Sequence, residues 1–250
     1  MSKETLGETE YLAACLSQGL RDLSLSGETA RKLVQLAGDL VRENEKYNLT
    51  AITSFEEIAL LHFADSLSLS AFLPAGASLL DVGSGAGFPS LPLAAARPDL
   101  KITALDSTGK KTEWIAAEAG RLGLSNVTAV CGRAEEVLAP GNPLRESFDF
   151  VTARAVARLG VLCELCSAGV RQGGSFIAMK GSSAAGETAG MTKAKLATLS
   201  LSEPKAESFD LVRPETGERY GRTLLIFGKT GPLPPKYPRS FAKIKKSPLF

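Results

Sequence analysis

The run Leu79-Leu80-Asp81-Val82-Gly83-Ser84-Gly85-Ala86-Gly87-Phe88 constrains this chain more than any other stretch. It reads as a strand that ends in an acidic residue, a turn with glycine at every second position, and a helix start. Gly83, Gly85 and Gly87 can take dihedrals closed to other residues and let a ligand approach the main chain closely. The helix that follows is expected to offer free N–H groups and a partial positive charge to an anionic group. Together these features put a nucleotide-like ligand at the carboxyl end of the strand. A structural tight turn would use the same glycines, so the remainder of the chain has to decide.

The spacing narrows the ligand. A dinucleotide fingerprint, G-x-G-x-x-G/A, requires a small sixth residue so that helix and strand pack closely, and Phe88 holds that place. A P-loop requires Gly-Lys-Ser/Thr after the turn, which is missing. The form D-x-G-x-G-x-G resembles the first motif of S-adenosylmethionine-dependent methyltransferases. Lys101–Asp106 is a second strand ending in a carboxylate, 25 residues after Asp81; an acid there can accept both ribose hydroxyls of an adenosine. Asn126 to Cys131 reads as a third strand, followed by Arg133-Ala134-Glu135-Glu136, placed to border an adenine. Phe148 to Thr152 and Gly174 to Met179 read as strands four and five. Such alternation of strands and helical patterns predicts a parallel, doubly wound α/β sheet. Ser208–Val212 and Thr223–Phe227 would complete seven strands.

At 250 residues and 44% apolar, one α/β domain with an appendage and an ample core is expected. The opening Met1-Ser2-Lys3-Glu4-Thr5 is polar with no apolar signal region after it, and no run approaches a membrane span. A soluble, cytoplasmic protein is expected. Cys163-Glu164-Leu165-Cys166 matches C-x-x-C, but it falls in an apparent helix without a second ligand pair. Buried apolar residues are the better reading than a redox or zinc role, and no metal is expected.

The net charge of +2 hides an asymmetry. From Lys229 to Phe250 there are six bases and no acid, whereas the rest of the chain carries 23 bases and 27 acids. Lys236, Arg239, Lys243, Lys245 and Lys246 stand among five prolines, Tyr237, Phe241 and Phe250. A segment of this kind reads as extended and suited to RNA phosphates; a merely solvated tail is the alternative. Three parts are expected: an N-terminal helical cap (1–72), a methyltransferase domain (73–229) and the basic Pro-rich tail (230–250).

Within the cap, Ala30, Leu33, Val34, Ala37, Leu40 and Val41 form one apolar helical face. Ser54-Phe55-Glu56-Glu57 fits a capping box. His62, the only histidine, and Asp65 are three apart, so on one helical face they can meet; a general base or ligand is conceivable, and a histidine hydrogen-bonded to that acid is the preferred reading. Arg154 ends strand four where substrate and cofactor should converge, with a planar fork of donors for a carboxylate, phosphate or base. Lys180-Gly181 ends strand five in the same region. Gly181 to Gly190, rich in Ser, Ala and Gly, reads as a mobile loop.

Asn48-Leu49-Thr50, His62 to Leu67, Asp81 to Pro89, Asp106-Ser107 with Lys110-Lys111, Arg133-Ala134-Glu135, Phe148 to Ala155, Lys180-Gly181 and Tyr237-Pro238-Arg239 occur in that order. In this ordered set the chain resembles the bacterial small-subunit ribosomal RNA guanine-N7 methyltransferase G family, also called glucose-inhibited division protein B. The resemblance covers about residues 44 to 181 and resumes in the tail; it departs at Ser90, where the family typically has glycine. It implies S-adenosylmethionine contacts at Gly83, Phe88, Asp106, Ser107, Thr108, Ala134, Glu135 and Arg154, besides Asp81, Gly85 and Gly87 of the turn. It implies a guanine of small-subunit ribosomal RNA as acceptor. Arg154 is the catalytic candidate by its place at the end of strand four, and Lys180 and the tail bases are the candidate RNA contacts by their charge and position. The expected state is a monomer acting on RNA within the ribosomal subunit, with no membrane partner.

The residues suit that chemistry. Methyl transfer from a sulfonium needs proximity, alignment and exclusion of water, and guanine N7 has a free lone pair and no proton to lose. Pyrimidine C5 methylation would need a Pro-Cys nucleophile, and exocyclic amines usually an Asn/Asp-Pro-Pro-aromatic motif, where Arg154-Ala155 stands. A ring nitrogen or a ribose hydroxyl remains, and the resemblance favours the nitrogen. A small-molecule methyltransferase would leave the basic tail without a role; a non-catalytic RNA-binding module would not need the glycine turn.

Overall fold

The computed structural model describes residues 7–17, 25–182 and 184–250; the polar opening five residues lie outside them. Helix α1 spans Glu8–Ser17 and α2 spans Gly27–Tyr47. The Ser26 hydroxyl accepts from the Thr29 N–H at 3.1 Å, so α2 starts on an ordinary N-cap. It ends at Asn48, whose φ of 49° is a left-handed conformation that asparagine tolerates. The expected stripe is buried at Ala30, Leu33, Ala37 and Leu40. Ser54 then caps Phe55–Glu57, accepting from the Glu57 N–H at 3.3 Å. The chain continues through a π-helical stretch, Ile58–Ala64, a short α-turn, Asp65–Leu67, and a 3₁₀ turn, Ser68–Phe72.

Seven strands follow: β1 (Ser78–Val82), β2 (Lys101–Asp106), β3 (Val127–Cys131), β4 (Phe148–Arg154), β5 (Val170–Gly181), β6 (Lys205–Val212) and β7 (Arg219–Gly228). They lie in the order β3-β2-β1-β4-β5-β7-β6, and β7 alone runs opposite to the other six. Leu79 faces one core and Leu80 the other, because successive strand residues point to opposite faces. The first core takes α1, α2 and the helix Ser90–Ala96; the second takes the helix Leu159–Ser167. Coverage on both faces explains why these strands read as apolar runs rather than alternating ones. The strand order reverses between β1 and β4, and the crevice above such a switch point is where ligands bind in open α/β sheets.

Two expectations change here. The segment after β5 is not a simple mobile loop: it contains a short helix, Ala184–Glu187, and the Glu187 carboxylate accepts from the Leu159 N–H at 2.7 Å and from Lys180 Nζ at 2.8 Å. The tail is not extended throughout. Phe241 and Ile244, three apart among lysines, make an apolar face on the helix Phe241–Lys246, and Ile244 is fully buried against Val161 and Leu165. Cys163 and Cys166 are buried in Leu159–Ser167, and burial pushes both thiols well above their usual range, as inert core residues. No helix among the described residues is long and apolar enough to cross a membrane.

Candidate cofactor and acceptor site

A cavity of about 420 Å³ opens at the carboxyl ends of β1, β2 and β4, a size ordinary for small-molecule sites, roughly 300–1,000 Å³. Gly83, Gly85, Phe88, Asp106, Ser107, Thr108, Ala134, Glu135 and Arg154 all line it. Asp106 ties two of its turns together: one carboxylate oxygen accepts from the Gly85 N–H at 3.0 Å, the other from the Thr108 N–H at 2.9 Å. Each oxygen thus keeps acceptor capacity toward the cavity, the acceptor set that a ribose diol requires. Gly85 sits at φ 58°, and a Cβ there would meet nothing closer than 3.9 Å, so its face is open to a ligand. At Gly83 the glycine is needed for packing instead, since a Cβ would come within 2.5 Å of Val156 Cγ2. Trp114 Nε1 donates to the Ala86 carbonyl at 3.0 Å and pins the turn from below.

Asp81 and Gly87 do not line the cavity, contrary to expectation. Asp81 is completely buried behind the turn; the Ser90 hydroxyl donates to one of its oxygens at 2.7 Å, and the other has no partner among the described residues. Burial pushes its carboxyl up to about 6, against the opposing Ser90 bond. Gly87 serves the helix Ser90–Ala96, because a Cβ there would fall 2.5 Å from Leu91 Cδ1. The turn also keeps few free donors: Gly83 and Ser84 N–H bond to Leu105 O, Gly87 and Phe88 N–H to Ser84 O. The turn therefore offers an anion few free donors.

Arg154 is the hub between cap and cavity. Its guanidinium donates to Leu61 O at 2.9 Å, to Asp65 Oδ2 at 3.1 Å and to His62 Nδ1 at 3.0 Å, and lies 5.5 Å from the Phe88 ring centroid. Arg222 of β7 holds the other Asp65 oxygen at 3.0 Å. His62 and Asp65 do not bond each other; the π-helical stretch widens the turn, and Arg154 bridges them. An arginine can only donate, so His62 Nδ1 accepts, and the neutral ring directs Nε2–H to Thr50 Oγ1 at 3.0 Å. The ring stacks on Phe88 at 4.3 Å. Burial, then the Arg154 charge, lowers the imidazole to about 3, so His62 cannot serve as a neutral-pH general acid.

The bases separate into two groups. Lys236, Lys243, Lys245 and Lys246 are exposed. Arg239 instead chelates the buried Glu164, with Nε to Oε1 at 2.8 Å and Nη2 to Oε2 at 2.6 Å, and Lys180 is held by Glu187 and Ala157 O. Arg239 is thus a corrected assignment: its ion pair clamps the tail onto the domain. Lys229 is buried likewise, donating to Ser167 O at 2.7 Å. Phe241 and Leu165 line the cofactor cavity without having been foreseen. The only signal for Phe241 was an aromatic in a basic tail; Arg222 gave none, because its partner lies 157 residues away.

Fold, switch-point cavity and acid-bridged glycine turn define an S-adenosylmethionine-dependent methyltransferase. A solved structure of similar fold, M. jannaschii TYW2 in complex with AdoMet, matches with a TM-score of 0.50 at 11% identity, covering 66% of this chain and 74% of that one. A family model described as rRNA small subunit methyltransferase G matches residues 29–211. Proteins named ribosomal RNA small subunit methyltransferase G are similar along most of their length. That of Lacticaseibacillus paracasei is 46% identical, over 84% of this chain and 86% of its own. That of Limosilactobacillus fermentum is 43% identical, over 96% and 97%. The chain belongs to the rRNA small subunit methyltransferase G family.

Proposed function

We propose that this protein transfers a methyl group from S-adenosylmethionine to N7 of a guanine in small-subunit ribosomal RNA. The observation that carries the reading is Asp106 bridging the Gly85 and Thr108 turns beneath a cavity walled on its other side by Arg154. When bound, S-adenosylmethionine supplies a methyl on a sulfonium whose departure leaves a neutral thioether. For the chain's own residues, Asp106 accepts from the ribose hydroxyls, Gly85 allows close approach, Gly83 lets Val156 pack against the turn, and Ala134 and Glu135 border the adenine. Phe88, with Ser107 and Thr108, closes the walls. Arg154 orients the acceptor against the methyl and, through Leu61, His62 and Asp65, keeps the cap in register. N7 carries a lone pair and no proton, so a neutral, buried His62 fits a reaction that needs no base.

Lys236, Lys243, Lys245 and Lys246 lie on the tail and would meet RNA phosphates. The division into cap (1–72), methyltransferase domain (73–229) and tail (230–250) follows these roles. A cytoplasmic monomer acting on RNA within the ribosomal subunit accords with the substrate. The test is nucleoside analysis of small-subunit RNA from a strain lacking the gene. The 7-methylguanosine level should fall by one residue per subunit and return on complementation; a level equal to the parent's refutes the reading.

A further inference from the structure

A second cavity, of about 390 Å³, shares Arg154, Ala155 and Val156 with the cofactor cavity. Beyond that common wall it is lined by Arg158, Lys180 and Glu187, which the cofactor cavity does not reach. Enzymes that act on a base take it out of the stack into a pocket beside the reacting group, and this cavity has that position. We propose that Glu187, with Lys180, reads the Watson–Crick edge of the acceptor guanine here. This inference rests on the guanine-N7 reading above.

The argument is one of donor order. Lys180 Nζ donates to Ala157 O at 3.0 Å and to Glu187 Oε2 at 2.8 Å, which leaves one of its three N–H groups. Glu187 Oε2 takes Lys180 and the Leu159 N–H, while Oε1 makes no hydrogen bond to the other described residues. The pair therefore presents a cationic donor beside an anionic acceptor, held rigidly to β5 and to the start of the helix Leu159–Ser167. Guanine presents the complement, O6 as acceptor beside N1–H and N2–H donors. Adenine presents the reverse, an amino donor beside a lone pair, and would meet like against like at both positions. The Lys180 bond keeps Glu187 below the usual carboxylate range despite its partial burial, so the acceptor is ionised at neutral pH. With that edge engaged on Glu187, N7 lies on the far side of the ring, toward the wall shared with the cofactor. Val156, 41% exposed, offers an apolar face to the base, and exposed Arg158 stands at the rim for its phosphate.

The test compares the parent with Glu187→Gln in methyl transfer to small subunits isolated from a strain lacking the gene, with GMP and AMP as competing probes. A good paired base contact discriminates by about 10- to 100-fold. The variant should lose that factor in kcat/KM for subunits, with S-adenosylmethionine affinity unchanged within twofold. GMP should inhibit the parent at least 10-fold better than AMP, and the preference should vanish in the variant. The proposal is overturned if transfer by the variant stays within threefold of the parent, or if GMP and AMP inhibit the parent equally or not at all. It is also overturned if transfer and cofactor affinity fall together while the GMP preference survives, the mark of a merely structural role. A parent that makes no 7-methylguanine overturns the functional reading itself, which keeps the two failures apart.

Discussion

Stability between pH 7 and 5 should depend on two buried groups that titrate in opposite senses. His62 is held neutral, at about 3 against 6.5 for a free histidine. As pH falls below 6.5 the unfolded chain takes up a proton that the native protein refuses, so stability is lost progressively down to about pH 3. At pH 5 the difference is about 1.5 pK, or about 2 kcal/mol. Asp81 has the reverse sign: its native value of about 6 lies above 3.8. The native carboxyl protonates first as pH falls from 6 to 3.8, and stability rises, by about 1 kcal/mol at pH 5. In the parent the two partly cancel, leaving a net loss of about 1 kcal/mol. His62→Gln should unmask the gain and Asp81→Asn the loss. For a chain of this size about 1 kcal/mol moves Tm by about 2–4 °C. Calorimetry from pH 7 to 5 should then show Tm falling about 2–4 °C in the parent, rising about 2–4 °C in His62→Gln and falling about 4–8 °C in Asp81→Asn. Glu118, also raised by burial, is common to all three proteins and cancels in the comparison. Curves for His62→Gln that run parallel to the parent's would refute the neutral, Arg154-facing imidazole.

Gly85→Asp should fold, since aspartate tolerates a left-handed residue comparatively well, yet lose cofactor binding by at least 100-fold in calorimetry because its side chain enters the cavity beside Asp106; unchanged affinity would remove Gly85 from the site. Replacing Lys243, Lys245 and Lys246 with alanine should lower the salt slope of RNA binding by up to about one for each phosphate no longer neutralised, with cofactor affinity nearly unaltered; an unaltered slope returns the tail to a solvated role. Arg154→Ala should cut turnover by more than 100-fold while Asp65 keeps Arg222 as partner; turnover within a few-fold of the parent makes Arg154 purely structural. Arg239→Ala leaves Glu164 buried without its cation and should cost about 3–5 kcal/mol, whereas Glu164→Ala leaves a partly exposed arginine that water can solvate and should cost less; denaturant titrations giving the reverse order would refute the clamp.

The sheet and the cavity at its switch point were legible in the order of residues alone. Alternating strand and helix patterns, Asp106 at the end of β2, and glycines at 83 and 85 are local signals, each written within a few neighbouring residues. They suffice because strand period, turn dihedrals and switch-point binding are properties of short segments. The partners of charges, by contrast, emerge only from packing. Nothing near Asp81 in sequence says that it faces the protein interior rather than the cavity. His62 and Asp65, three apart, invite a helical pair, but a π-turn and an arginine 92 residues from His62 separate them. Arg239 and Lys229 look like their basic neighbours until Glu164 and Ser167 are brought beneath them. Glu187, in a run of Ser, Ala and Gly, becomes a site residue only when β5 and the helix Leu159–Ser167 meet around it. A charge is worth little in water and much where it is buried, and burial is set by segments far apart in the chain.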